Sequence, residues 1–406
     1  MKKVYITDYG AGENIANNAE AIQAAVNDCV DGGIAVIPAG TFKSGAIKLQ
    51  SNTTLYLEKD AVLLNTGNYR DYEKYMSEGW GKTADHWYDS FICATDGKNI
   101  SIEGEGTIDG ADCYNPNGEE GFRGPHCIRF VKCKNIRVSG IRIARSANYP
   151  IFLIKSDNIK IGNVTIRGGH DGVHSQRCGN VVISDCDFRT GDDCVAGSDN
   201  QNFIIRDCKF NTSCNGFRLG CMNLTVERCS FWGPGEFSHL LSKRQNMLCA
   251  IVHFAPSDRD TLLPSDNWHI KDITVDNAET LYQVNRKTET WQKGQPALAV
   301  AFENADVKNI AEPVTIIDNH RFSALRIKNS AIGLKPGIFG KSVIQCDGFD
   351  SFELQNVKLT GNINAPAVNA RNGNMLIINN AKSVDGADDA DYAENIKTEN
   401  VEIFKI

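Results

Sequence analysis

The sequence predicts an all-β chain wound as a right-handed parallel β-helix, a solenoid closed by an N-terminal capping helix. Three observations carry that prediction. A nine-residue pattern, Asn followed by a short strand that ends on an aromatic, occurs at 180–188 (NVVISDCDF) and again 22 residues later at 202–210 (NFIIRDCKF). Asparagines that open such strands, Asn135, Asn158, Asn180, Asn202 and Asn223, are spaced by 23, 22, 22 and 21 residues. No amphipathic helix fits between strands so close together, whereas three short strands and their turns make a coil of about 22 residues, the rung of a parallel β-helix. Rungs stack about 4.8 Å apart, so each position of the repeat becomes a column, and the opening asparagines are expected to form an internal amide ladder.

Taken in order, residues 4–9 predict a first strand, and 17–30 (NNAEAIQAAVNDCV) place apolar residues at helical spacing. Asn17 is the expected N-cap with Glu20 as its capping-box partner, and Gly32 and Gly33 end the helix. Residues 34–64 are a run of short strands broken by turns. A helix over such a ladder, within a cap of about residues 1–33, is how a solenoid covers its open end. The period lapses at about 65–91, where Tyr69, Tyr72, Tyr75, Trp80, Trp87, Tyr88 and Phe91 gather, as a sugar-stacking wall or as a loop packing its own rings. Coils resume at 99–110 and run to 231; a second insertion, about 232–266, is rich in Gly, Pro and charge. NWHIKDITV (267–275) returns to register 44 residues after Asn223, which is two coils or one coil plus a long loop. LRIKNSAI, SFELQNVKL and MLIINNAKS continue the solenoid, and DGADDADYAEN reads as a solvated acidic loop, so that a single domain is expected over 1–406.

With 41% hydrophobic residues, the 406-residue chain has enough apolar side chains for a large core. Fifty acids face 43 bases, and no basic run reaches five, so no nucleic-acid partner is expected. A net charge of −7 leaves anionic ligands open, because local columns of Arg override it. No apolar window reaches 18 residues, so no membrane span is expected. The start, MKKVYITDYGAGEN, has no apolar signal-peptide core, and a cytoplasmic location is expected. Of fourteen cysteines, Cys186, Cys208 and Cys229 each fall six residues after their opening Asn, in one inward column; reduced, buried thiols are favoured over disulfides. No paired CxxC with further ligands occurs, so zinc is not expected.

The chemistry follows from the columns. Thirteen residues after Asn158, Asn180 and Asn202 stand Asp171, Asp193 and Asn215, with Asp192 adjoining. Carboxylates one rung apart cannot all ionise freely. A protonated acid beside an ionised base is what cleavage of a glycosidic bond needs. The sixteenth position adds His174, Ala196 and Arg218, where the small Ala196 leaves room for the His and the Arg to face a ligand. The plainer alternative is a surface turn with solvated acids.

GDDCVA (191–196), with Asp171-Gly172 preceding its Gly191-Asp192 by about one coil, resembles the family 28 glycoside hydrolases, the polygalacturonase group of the pectin-lyase-like β-helices. The resemblance runs through ITDYGA, AIQAAV, IPAGTF, LYLEKDAVLL and GTIDG to about residue 231. It implies an inverting hydrolase of pectin-like or related oligosaccharides, with Asp192 as general acid, Asp171 with Asp193 activating water, and no cofactor or metal. The chain departs from the family at three places. The family's Asn-Thr-Asp is Gly169-His170-Asp171, and its His-Gly is Asn215-Gly216, where Asn cannot share a proton as His does. Its Arg-x-Lys clamp for a uronic carboxylate is missing: Lys243 and Arg244 stand near the place, and Arg326-Ile327-Lys328 spells the motif too far along the chain.

Arg218 is favoured over Lys243 and Arg244 as the replacement clamp, and His170 is a candidate stand-in for the missing His. His126 and Tyr149, on earlier rungs, either line the groove or pack, while His239 and His253 lie in the second insertion, without register. Two loops walling the groove favour exo action on short oligosaccharides. A lyase or epimerase using Arg218 or Lys243 as base, and a non-catalytic glycan-binding solenoid, are the rival readings.

Overall fold

The computed structural model describes residues 2–75, 89–255, 262–285, 298–361, 364–385 and 396–405. The chain divides into two compact units, residues 1–192 with 239–241, and residues 193–238 with 242–406. Each is all-β, with parallel strand pairing throughout the registers below, and the α-helix Ala19–Asn27 belongs to the first.

In the first unit Lys3–Tyr5 pairs with the next strand and the later strands pair with the one three places on, which sorts them into three ribbons. One runs from Lys3–Tyr5 through Ile34–Ile37, Thr54–Leu57, Lys98–Gly104, Lys134–Ser139 and Asp157–Gly162 to Gly179–Ser184. A second ends at Asp187–Thr190, and a third at Val173–Gln176. The repeat of about 22 residues is the register itself: Ile136 pairs with Ile159, and Ile159 with Val181. Leu63, Ile108, Ile143, Ile166 and Phe188 lie in one paired column, all fully buried. Burying a side chain of this size contributes about 1.5–3 kcal/mol, and repetition of that gain on every rung is what the period encodes.

The asparagine ladder exists, but on the outside. Asn99, Asn135, Asn158 and Asn180 have φ of 53–56° and are exposed. Asn135 Nδ2 donates to Asn99 Oδ1 (2.8 Å), and Asn158 Nδ2 to Asn135 Oδ1 (2.6 Å). These residues open strands because Asn tolerates the left-handed corner, and the corner turns the amide to the surface. The helix start also differs from expectation. Asn18, not Asn17, is the N-cap, with no side-chain cap bond, and Glu20 is exposed. The Asn18 side chain is occupied by Gly12 N (2.8 Å) and Lys43 O (2.9 Å), while Asn17 Oδ1 accepts from Ala19 N. The predicted first strand is Lys3–Tyr5 followed by the 3-10 turn Ile6–Tyr9.

Tyr72 packs inward against Phe91, with its hydroxyl donating to Ser44 O at 2.8 Å. Trp80, Trp87, Tyr88 and the side chain of Tyr75 lie outside the described residues, as does 386–395 of the acidic stretch.

In the second unit the strands also pair in parallel. Phe210, Phe231, Val275, Val307, Ile332 and Leu359 form one buried column across successive strands. Trp268 pairs with Leu224, and Asn267 Nδ2 donates to Asn223 Oδ1 (3.0 Å), so the 44-residue interval is one coil plus a long loop. Arg326 sits in the strand Val314–Leu334, bonded to Glu353 at 2.6 Å, as an ordinary strand residue. All fourteen cysteines are free and buried; Cys186 Sγ donates to Ser184 O (3.1 Å) and Cys208 Sγ to Arg206 O (3.0 Å). Among the described residues no helix is long and apolar enough to cross a membrane.

Candidate active site

The first unit contributes Asp171 and Asp192. Asp171 ends the turn before Val173–Gln176 and is 5% exposed. His174 Nδ1 lies 2.8 Å from Asp171 Oδ2. The His174 ring lies flat on Tyr149, with centroids 4.3 Å apart and planes at 4°. Burial holds the Tyr149 phenol well above its usual pKa, so it stays neutral. His126 is fully buried behind Tyr149 and Phe152, at 5.3 and 4.7 Å. His126 and Tyr149 therefore pack, building the floor on which His174 is held.

Asp192 follows the strand Asp187–Thr190, whose Thr190 hydroxyl donates to the Asp192 carbonyl at 2.6 Å. Its side chain is 21% exposed, and its carboxylate oxygen lies within 4.8 Å of that of Asp171. His239 Nε2 is 3.5 Å from Asp192 Oδ2. Beside it Leu240 covers Gly169, where a Cβ would come within 2.9 Å of Leu240 Cγ. Gly169 is thus a glycine because of close approach.

His170 is 3% exposed, its ring stacked on Phe122 (5.7 Å) and its Nδ1 3.5 Å from Arg123 Nη1. Arg123, itself buried, is held by Glu120 (2.7 Å) and Asn148 (3.2 Å). Burial first, then the Arg123 charge, pushes the His170 imidazole well below the usual range, so it is neutral. With Arg123 donating to Nδ1, the ring hydrogen sits on Nε2.

In the second unit Asp193, 3% exposed, accepts from Asn215 Nδ2 at 2.8 Å and from the Asn215 amide at 3.3 Å. The predicted pairing of Ala196 with Arg218 is present. Arg218 lies over the Phe254 ring, 3.8 Å from its centroid. Arg244 donates to Ser213 O (2.9 Å) and to Cys214 Sγ (2.8 Å), while Lys243 is exposed. His253 is buried near Trp268, 5.9 Å away. Sequence reasoning gives His239 no role and misses Arg123, because both sit in loops between strands, where no column numbers them.

Two close carboxylates, each with an imidazole beside it, can hold and move a proton at an acetal oxygen while orienting water. The stretch carrying them is similar to known glycosyl hydrolases. Residues 30–222, a little under half of the chain, match the family described as Glycosyl hydrolases family 28. An exo-poly-alpha-D-galacturonosidase of Dickeya chrysanthemi is 35% identical over 146 residues, 34% of this chain and 24% of that protein. A probable polygalacturonase of Vitis vinifera is 31% identical over 190 residues, 42% of this chain and 39% of that protein. The chain thus spans between 24% and 39% of the length of these curated relatives. The family 28 exopolygalacturonase of Yersinia enterocolitica shares the fold, with a TM-score of 0.58 over 99% of this chain and 78% of that one at 17% identity.

Proposed function

We propose that the protein is a glycosidase that hydrolyses pectin-like or related oligosaccharides from the chain end. The observation that carries the reading is the Asp171–Asp192 pair, within 4.8 Å and differing in exposure. Asp192, the more open, donates a proton to the leaving glycosidic oxygen. Asp171, buried and fixed by His174, accepts a proton from the attacking water, and Asp193, held by Asn215, is the further carboxylate that the family resemblance assigns to water activation. Exo action is supported by the names of the Dickeya and Yersinia proteins. Arg218 and Arg244 are the half-buried cations proposed to meet a uronic carboxylate. Each unit is read as turns of a right-handed parallel β-helix, with the helix Ala19–Asn27 capping the first, and the free thiols support a reducing compartment.

The test is hydrolysis of a panel of short uronic and neutral oligosaccharides, followed by NMR, for wild type and Asp192→Asn. A new reducing end, lost in the variant, supports the reading. An unsaturated product would replace it with a lyase, and activity undiminished in Asp192→Asn would remove Asp192 from the mechanism.

A further inference from the structure

A carboxylic acid that protonates a leaving group must present the oxygen carrying the proton. Its other oxygen needs a partner that fixes the plane and holds the charge left behind. Asp192 Oδ2 faces His239 Nε2 at 3.5 Å, with the two side chains 21% and 12% exposed. We propose that His239 is a positioning residue for Asp192, donating from Nε2 to Oδ2 so that Oδ1 is the oxygen that delivers the proton. This rests on the reading of Asp192 as the acid.

The geometry around the loop tip carries the assignment further. Leu240 is seated over Gly169: a Cβ at that position would lie 2.9, 3.0 and 3.2 Å from three Leu240 carbons. Gly169 directly precedes His170 and Asp171, so the tip that brings the imidazole to Asp192 is anchored on the turn that carries Asp171. The loop is fastened before the tip as well: Ser213 Oγ donates to Phe237 O (2.6 Å), and Glu236 N donates to Asn211 Oδ1 (2.7 Å). Arg244, after the tip, bonds Ser213 O at 2.9 Å. A side chain held at both flanks and at its neighbour loses little freedom on meeting its partner. Asn215, by contrast, directs its amide to Asp193 and has no proton to share.

The test uses the full chain. His239→Ala is expected to lower kcat on the order of 10–100-fold, the range of a lost hydrogen bond to a charged group, with KM nearly unchanged. His239→Gln, which keeps a donor, is expected to recover most of that loss. Gly169→Val, which displaces Leu240, is expected to reproduce the kcat loss without touching an acid. A readout independent of turnover is the His239 imidazole nitrogen signal in NMR, expected to shift between wild type and Asp192→Asn. Wild-type kcat in His239→Ala, with Asp192→Asn inactive, would overturn the inference and leave the proposed function standing. Should wild type show no hydrolysis, the proposed function fails; the NMR shift then supports the pairing, and its absence overturns it.

Discussion

His174 donates from Nδ1 to Asp171 Oδ2 at 2.8 Å while its ring lies flat on Tyr149, so one imidazole is fixed in plane and in direction at once. His174→Phe keeps the aromatic stack and removes the donor. Turnover is expected to fall about 10–100-fold, the worth of a charge-assisted hydrogen bond, with the urea midpoint little changed. His174→Ala also empties the space over Tyr149 and is expected to cost about 1–3 kcal/mol of stability as well. Steady-state kinetics beside urea unfolding separates the two effects; equal activity in His174→Phe and wild type would reduce His174 to packing.

Asn215 fixes Asp193 with two donors, its side-chain amide at 2.8 Å and its backbone N–H at 3.3 Å. Asn215→Ala removes the first and leaves the second. The buried carboxylate then keeps one bond, so the fold is expected to survive while kcat drops about tenfold. Asn215→Asp sets a like charge against Asp193 and is expected to cost more in both activity and stability. Both variants are measured by initial rates and thermal unfolding.

How much of this was legible in the sequence depends on whether a residue belongs to a column. The Ile136–Ile159–Val181 register, the Cys column and the pairing of Asp193 with Asn215 follow from counting, because each rung repeats the same inward and outward positions. The direction of a corner residue does not: counting gives Asn135 and Asn158 their positions, but spacing carries no sign of φ, and it is φ that turns their side chains outward. Counting puts His126 and Tyr149 on earlier rungs, yet only three-dimensional packing shows that their rings are the floor under His174. His239 and Arg123 lie in loops, and their approach to Asp192 and His170 is set by tertiary anchoring such as Leu240 over Gly169.

His170 gives the molecule a pH-dependent stability of defined sign. Its imidazole is held well below the ordinary value of 6.5, by burial and then by Arg123. Between its depressed folded value and about 6.5 the unfolded chain binds the proton and the folded one does not, so stability rises with pH. The contribution is complete above about 6.5 and is lost as pH falls from there towards the folded value. Urea midpoints measured from pH 7.5 down to 5 are expected to decline more steeply in wild type than in His170→Gln. Parallel curves would mean that His170 titrates normally.

The stereochemical course is the remaining prediction, and two lines of argument meet there. Inverting glycosidases hold their carboxyl groups about 6.5–9.5 Å apart, and retaining ones about 5–5.5 Å. The approach of Asp171 and Asp192 to within 4.8 Å, taken alone, leans towards a covalent intermediate. A nucleophile, however, needs an oxygen open to the anomeric carbon, and Asp171 is 5% exposed, with Oδ2 committed to His174. A carboxylate so enclosed is better suited to hold a water through its remaining oxygen than to bond to a sugar. Inversion is therefore expected: NMR on the first turnovers should show the anomer opposite to that of the substrate. Retention, together with a sugar trapped on Asp171, would recast that residue from base to nucleophile and make Asp192 serve as acid and then as base.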